Sequence, residues 1–290
     1  SDHVLGPTWE QIQGVAPPVP EGGPPWWQDR RGELQKIARE SGSAYVYDRA
    51  SMERAAQQLL AIRGVDRIFY AMKANPHPEI LKLFAGLGLS FECVSQGECE
   101  HVLATLPGID PGKILFTPNF APRSEYEWAV KQGVHLTSDN LYALREWGDL
   151  FKGRDLLVRI DTGFGRGHHD HVRTAGVHSK FGVPLFEMDE LEKLVKSVGA
   201  RIVALHAHTG SGVFDVRNWK EVGQVLGDLA KRFPDVKAID LGGGIGVPEK
   251  PGQVPVDLKA LQAVVDEQRQ KTPQLQLWLE PGRFLVAQGG

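Results

Sequence analysis

A closed (β/α)8 barrel, the TIM-barrel architecture, is the fold class that residues 44–290 predict. Three observations carry it. Eight short apolar or β-branched runs alternate with longer helical patterns, the signature of a parallel sheet. The span from position 44 onward matches the roughly 250 residues of such a barrel. The chemistry-bearing residues recur at or just beyond the C-terminal ends of those runs, and a barrel gathers these ends on one face. A doubly wound open sheet would also place a site at strand ends, but it would not so readily let its first and last strands share one.

Residues 1–43 come first, as a Pro/Gly-rich linker and a leading helix. Ala16-Pro17-Pro18-Val19-Pro20 and Gly22-Gly23-Pro24-Pro25 carry no sustained periodicity, whereas roughly Asp29 to Ser41 is amphipathic. The strand runs are then Arg67 to Ala71, Ser90 to Val94, Lys113 to Phe116, His135 to Ser138, Asp155 to Ile160, Ile202 to His206, Ala238 to Leu241 and Gln276 to Glu280. Between them, Glu79 to Leu87, Glu98 to Leu106, Glu187 to Val198 and Leu258 to Lys271 repeat apolar residues at three- and four-residue steps, which predicts helices. Lys73, Ser95, Asn119, Ser138, Arg159, His208, Gly242 to Gly244 and Glu280 to Arg283 fall at the strand ends.

Composition narrows the function classes. With 41% hydrophobic and 24% charged residues the 290-residue chain is globular, and a net charge of -3 offers no basic stripe for nucleic acid. No apolar stretch approaches the roughly 20 residues that span a bilayer, so a cytoplasmic protein with no membrane partner is expected. Cys93 and Cys99, the two cysteines, have neither a Cys-x-x-Cys nor a zinc-like spacing.

Tyr70-Ala71-Met72-Lys73-Ala74-Asn75 puts a lysine directly after an apolar strand. Desolvation there would disfavour the ammonium and make Lys73 an imine former, although from the hexapeptide alone a lysine capping an exposed strand end is the better reading. Asp240-Leu241-Gly242-Gly243-Gly244-Ile245-Gly246 follows the seventh run, where barrels hold phosphate, and its backbone can approach an anion closely. A plain glycine turn is the alternative. The dinucleotide fingerprint fails, because Pro248 and Pro251 interrupt the helix it requires.

Glu280-Pro281-Gly282-Arg283 places a carboxylate and a guanidinium around a tight turn. A surface ion pair would do as much, but beside a lysine and a phosphate cradle a carboxylate suits a pyridine ring, whose nitrogen it keeps protonated. In His206-Ala207-His208-Thr209-Gly210-Ser211-Gly212, no neighbouring Asp, Glu or Cys completes a metal shell. No metal is expected; an imidazole stacked on a planar cofactor and a Ser211 hydroxyl on phosphate are. His168, His169, His171 and His178 share a glycine-rich segment that reads as an active-site loop.

Together these motifs, with Ser179-Lys180-Phe181-Gly182, resemble the alanine-racemase-like (fold type III) pyridoxal-phosphate enzymes. Within that group they are more similar to the diaminopimelate decarboxylases than to the ornithine or arginine decarboxylases. The resemblance implies pyridoxal 5′-phosphate as cofactor, held as a Schiff base by Lys73, with His208 stacked on the ring and Glu280 paired with its nitrogen. It implies that Ser211, Gly242, Gly243, Gly244, Pro281, Gly282 and Arg283 bind the cofactor and that Arg283 meets an amino-acid substrate; Arg159, at the end of its strand run, is the other candidate for substrate binding. Glu92 stands where the family commonly has aspartate. The family continues into a C-terminal β-domain and forms a homodimer in which the partner subunit completes the site. This chain is therefore expected to be the barrel of a longer polypeptide, such as one fused to an aspartate kinase. A non-catalytic pyridoxal-phosphate-binding barrel and an amino-acid racemase are the rival readings.

Overall fold

The computed structural model describes residues 25–164, 180–249 and 253–290. The four-histidine segment and Ser179 lie outside the described residues, as does most of the expected linker. Eight parallel strands form the barrel: β1 (Arg67–Ala71), β2 (Ser90–Cys93), β3 (Ile114–Phe116), β4 (His135–Ser138), β5 (Asp155–Asp161), β6 (Arg201–His206), β7 (Ala238–Asp240) and β8 (Gln276–Leu279). Closure is explicit, since Arg67 pairs with Trp278 and Ile68 with Leu279 between β1 and β8, while β4 pairs with β5. A two-residue strand, Val183–Pro184, adds to the far end of β5. The strand bounds agree with the sequence reading to within a residue.

The two-residue period of a strand explains how the barrel is filled. One set of strand residues, such as Ile68, Tyr70, Phe91, Ile114, Val158 and Leu277, faces the helices and joins the main hydrophobic core. The alternate set forms a separate inner layer of Phe69, Leu115, Leu157, Ala204, Ala238 and Trp278. Phe69, Leu115, Leu157 and Ala238 come from the odd-numbered strands, as the layered packing of such barrels requires. Two residues further along, the same inward parity reaches Ala71, Thr117, Arg159, His206, Asp240 and Glu280. The inner face is thus apolar in the middle and polar at the C-terminal mouth.

The outer helices are shaped by their ends and apolar faces. Asp257 caps Leu258–Lys271 by accepting from Lys259 and Ala260, and Gly199 stops Met188–Val198 in the left-handed conformation. Ser95, placed by sequence among the mouth residues, instead caps Gln96–Thr105 by accepting from the Glu98 N–H, and the Ser138 hydroxyl donates to the Asn140 carbonyl. Helix Arg217–Ala230 buries Trp219, Val222 and Leu226, each contributing about 2 kcal/mol through apolar burial. The leading helix Arg31–Ser41, amphipathic in sequence, buries none of its residues. No helix among the described residues is long and apolar enough to cross a membrane.

Candidate active site

The polar ends of the strands converge on a cavity of about 220 Å³ at the barrel mouth. Lys73, Arg159, His208, Ser211, Gly244, Glu280, Gly282 and Arg283 all line it, so residues far apart in the chain meet as the sequence suggested. Glu92 lines it as well.

Lys73 sits in the single helical turn Met72–Ala74 that ends β1. Its Nζ donates to Glu92 Oε2 at 3.2 Å; the glutamate is 3% exposed and the lysine side chain 56%. The Glu92 carboxylate holds the ammonium above its ordinary value, outweighing burial, which pulls the other way, and Glu280 adds to the effect. This corrects the expectation that desolvation would disfavour the Lys73 ammonium. The ion pair dominates because Glu92 is fixed on β2, one strand away. Its signal in the sequence is inward parity: Glu92 interrupts an otherwise apolar run.

His208 accepts a hydrogen bond at Nδ1 from the Gly243 N–H, 3.4 Å away, which leaves the ring proton on Nε2. Burial keeps the imidazole well below its ordinary value, hence neutral. A neutral ring of fixed orientation at a cavity wall is suited to packing against a flat partner.

The glycine segment divides its labour. The Gly242 N–H donates to Asp240 Oδ1 at 2.9 Å, and that of Gly243 to His208, so both donors are committed within the protein. Neither Gly242 nor Gly243 lines the cavity. A Cβ on Gly243 would collide with the Glu280 carbonyl and one on Gly242 with the Ala207 carbonyl. These two residues, expected as parts of a phosphate cradle, therefore lock β6, β7 and β8 together. Pro281 has a similar place, its carbonyl accepting from the Ala71 N–H across the barrel seam, and it too is absent from the cavity wall. Gly244 does reach the cavity, with φ +81° and a Cβ position filled by the Gly210 carbonyl, beside Ser211 and Gly212.

The two arginines differ. Arg159 is 6% exposed, with its Nη1 3.7 Å from Asp139 Oδ1 and its guanidinium 4.9 Å over the Phe181 ring. Its charge is already answered. Arg283 is half exposed and donates to Glu249 Oε1 at 2.7 Å.

Behind Glu280 lies a feature the sequence reading excluded. His206 Nε2 is 3.5 Å from Glu280 Oε2 and its Nδ1 is 3.5 Å from Asp240 Oδ1, with all three residues buried. Acidic groups therefore do flank this histidine, brought in by strand neighbours more than thirty residues away. Burial pushes Asp240 up to about 6 and lifts Glu280 well above its ordinary value, the second raised also by the Asp240 charge.

The residues fit a pyridoxal phosphate. An amine at Lys73 opens on the cavity. Glu280 Oε1 is a buried acceptor with no donor, which a protonated ring nitrogen can satisfy. The Gly244 backbone approaches the cavity as only glycine allows, next to a serine hydroxyl.

Comparison with known proteins gives the same answer. Residues 49–287 match the family of pyridoxal-dependent decarboxylases, through its pyridoxal binding domain. A diaminopimelate decarboxylase of Streptomyces coelicolor is 33% identical over 266 residues, covering 89% of this chain and 60% of that protein. The enzyme of the same name from Escherichia coli K12 is 29% identical, covering 89% and 62%. Among solved structures, diaminopimelate decarboxylase from Helicobacter pylori complexed with L-lysine superposes with a TM-score of 0.78 at 27% identity, covering 87% of this chain and 67% of that one. SrLDC in complex with PLP and cadaverine gives 0.74 at 26% identity, covering 89% and 65%. The chain thus spans about three fifths of the length of these curated relatives, and it belongs to the pyridoxal-dependent decarboxylase family, whose cofactor is pyridoxal 5′-phosphate.

Proposed function

We propose that this barrel is the cofactor-binding part of an amino-acid decarboxylase that converts meso-2,6-diaminopimelate to L-lysine. The observation that carries the reading is the sharing of one 220 Å³ cavity by Lys73 and the buried Glu280 carboxyl. An amine and a ring-nitrogen partner are the two groups such a cofactor needs from the protein. Glu280 favours decarboxylation over mere cofactor storage or racemisation, because a carboxyl beside the ring nitrogen keeps it electron-withdrawing. The diaminopimelate assignment rests on the names of the relatives, and a cytoplasmic homodimer on the family resemblance.

When bound, the cofactor supplies a carbonyl that condenses with amines and a ring that accepts the electron pair of a breaking Cα–carboxylate bond. The protein's own residues do the rest. Glu92 Oε2 accepts from Lys73 Nζ, so it aims the amine and holds it as the ammonium until the proton is shed to solvent. His208, neutral and held by Gly243, presents its ring as a wall for a flat partner. The Ser211 hydroxyl and the backbone around Gly244 line the cavity and would hold the phosphate. Arg283, the more exposed of the two arginines, can meet a substrate carboxylate by exchanging its contact with Glu249, whereas Arg159 stays committed to Asp139.

The test is covalent capture. Incubation with pyridoxal phosphate should produce an imine absorbance band, and borohydride should fix the label on the peptide that contains Lys73. Label recovered on Lys180 or Lys82 would overturn the assignment.

A further inference from the structure

Asp240 Oδ2 and Glu280 Oε1 are both buried oxygens with no hydrogen-bond donor. Two unsatisfied acceptors in one dry cluster cost free energy unless something bridges them. One proton held between the carboxyls satisfies an oxygen on each. Asp240 Oδ1 already accepts from the Gly242 N–H at 2.9 Å, and His206, whose Nδ1 is itself without a hydrogen-bond partner, stands 3.5 Å from Oδ1 and 3.5 Å from Glu280 Oε2.

We propose that Asp240 and Glu280 share one proton in the cofactor-free protein, and that His206, wedged between them, is the positioning residue that sets where this proton resides. Neither His206 nor Asp240 is needed to explain cofactor capture by Lys73. Their role is exerted through Glu280. The inference rests on the reading of Glu280 as the ring-nitrogen partner only for its consequence, since the proton pair itself exists without cofactor.

The charged surroundings support this. Glu280 faces Asp240 from β7, His206 from β6 and Glu92 from β2, and it also acts on Lys73 after β1 and Arg159 on β5. His206 faces Glu280, Arg159, Glu92 and Lys73, while His208 packs beside it. Two carboxylates against one another in so dry a place do not both ionise near neutral pH. Burial holds His206 neutral, so it can donate from one ring nitrogen only. Which carboxyl receives that hydrogen bond decides which one keeps the proton. The proton balance is simple. A base entering the cavity beside Glu280 takes the shared proton onto its nitrogen, both carboxyls are then anionic, and His206 becomes the group that gains a proton from solvent.

The three side chains are also close enough to ligate a cation, with one ligand atom from each lying within 4.8 Å of the others. That possibility enters the test as a rival outcome. Infrared difference spectra of the cofactor-free 290-residue protein should show a protonated carboxyl band at pH 7 that Glu280→Gln or Asp240→Asn alters. Asp240→Asn should lower the midpoint at which the Glu280 band is lost by about one pH unit or more, since the charge opposing its ionisation is gone. His206→Gln should move the midpoint the other way, because the nearby group that favours the ionised carboxyl is removed. Absence of the wild-type band at pH 7, or identical midpoints in all folded variants, would overturn the proposal. So would stoichiometric zinc retained after dialysis against that metal, with no carboxyl band. The wild-type band is decisive even where a variant fails to fold. Borohydride labelling reports separately on Lys73, so failure of cofactor capture with the band intact would sink the proposed function and leave this inference standing.

Discussion

Replacing Glu92 with Gln removes the charge that faces Lys73 while nearly preserving the side chain's volume. Two unit charges 3.2 Å apart attract by about 5 kcal/mol at an effective dielectric constant near 20. The Lys73 side chain is 56% exposed, so solvent screens most of this and about 1 kcal/mol survives. The lysine should therefore titrate lower in Glu92→Gln, and 1 kcal/mol is a factor of about five in the fraction held as neutral amine. Only the neutral amine condenses with an aldehyde, so imine formation at neutral pH should be about fivefold faster in the variant. Stopped-flow absorbance after mixing with pyridoxal phosphate, repeated across pH, measures this directly. The stability effect has a definite sign. A lysine raised by its partner contributes stability that is fully present below its unfolded value of 10.5 and is lost as pH rises through the higher folded value. Melting temperatures of wild type and variant should therefore differ most near neutral pH and converge in strong alkali. An imine rate that is unchanged, or slower at every pH, would refute the claim that the ion pair governs Lys73.

Gly244→Ala should destabilise the fold by about 1–3 kcal/mol in urea unfolding, because alanine must adopt φ +81° with its Cβ against the Gly210 carbonyl. Glu280→Gln in the full-length enzyme should lower kcat by roughly 10² while leaving cofactor affinity far less changed, and steady-state kinetics with a cofactor titration would separate the two. The 290-residue chain should take up pyridoxal phosphate yet release carbon dioxide from diaminopimelate at least about 10² more slowly than a full-length relative. Among the described residues, Arg283, exposed at the rim though paired with Glu249, is placed to orient the substrate; equal turnover would show that the barrel suffices.

How much of this was legible in the sequence depended on the range of the interaction. Strand positions were legible because burial on both faces of a parallel strand imposes runs that no helix needs, and barrel closure followed from chemistry at both the first and the last run. Lys73, His208, Ser211 and Glu280 could be placed at the cavity because each lies within five residues of the end of its strand. The glycine run was legible as a place of close approach. A glycine motif records that no Cβ fits, and the intruder at Gly242 and Gly243 is the protein's own backbone at Ala207 and Glu280.

The His206, Asp240 and Glu280 cluster was illegible for a related reason. Those residues lie 34 and 40 positions apart along the chain, and only strand register makes them neighbours: His206 pairs with Asp240, Asp240 pairs with Trp278, and Glu280 follows two residues on. Inward parity could have found them. On β6, β7 and β8 the inner layer runs Ala204 to His206, Ala238 to Asp240 and Trp278 to Glu280, an apolar residue followed two positions later by an ionisable one. Once three adjacent strands share that pattern, their ionisable residues must meet at one level inside the barrel. In so dry a place they can coexist only by sharing protons, binding a cation or receiving a charged ligand. Glu280 lines the cavity, whereas Asp240 lies behind it. The ligand can therefore answer Glu280 directly, and Asp240 only through a shared proton or His206.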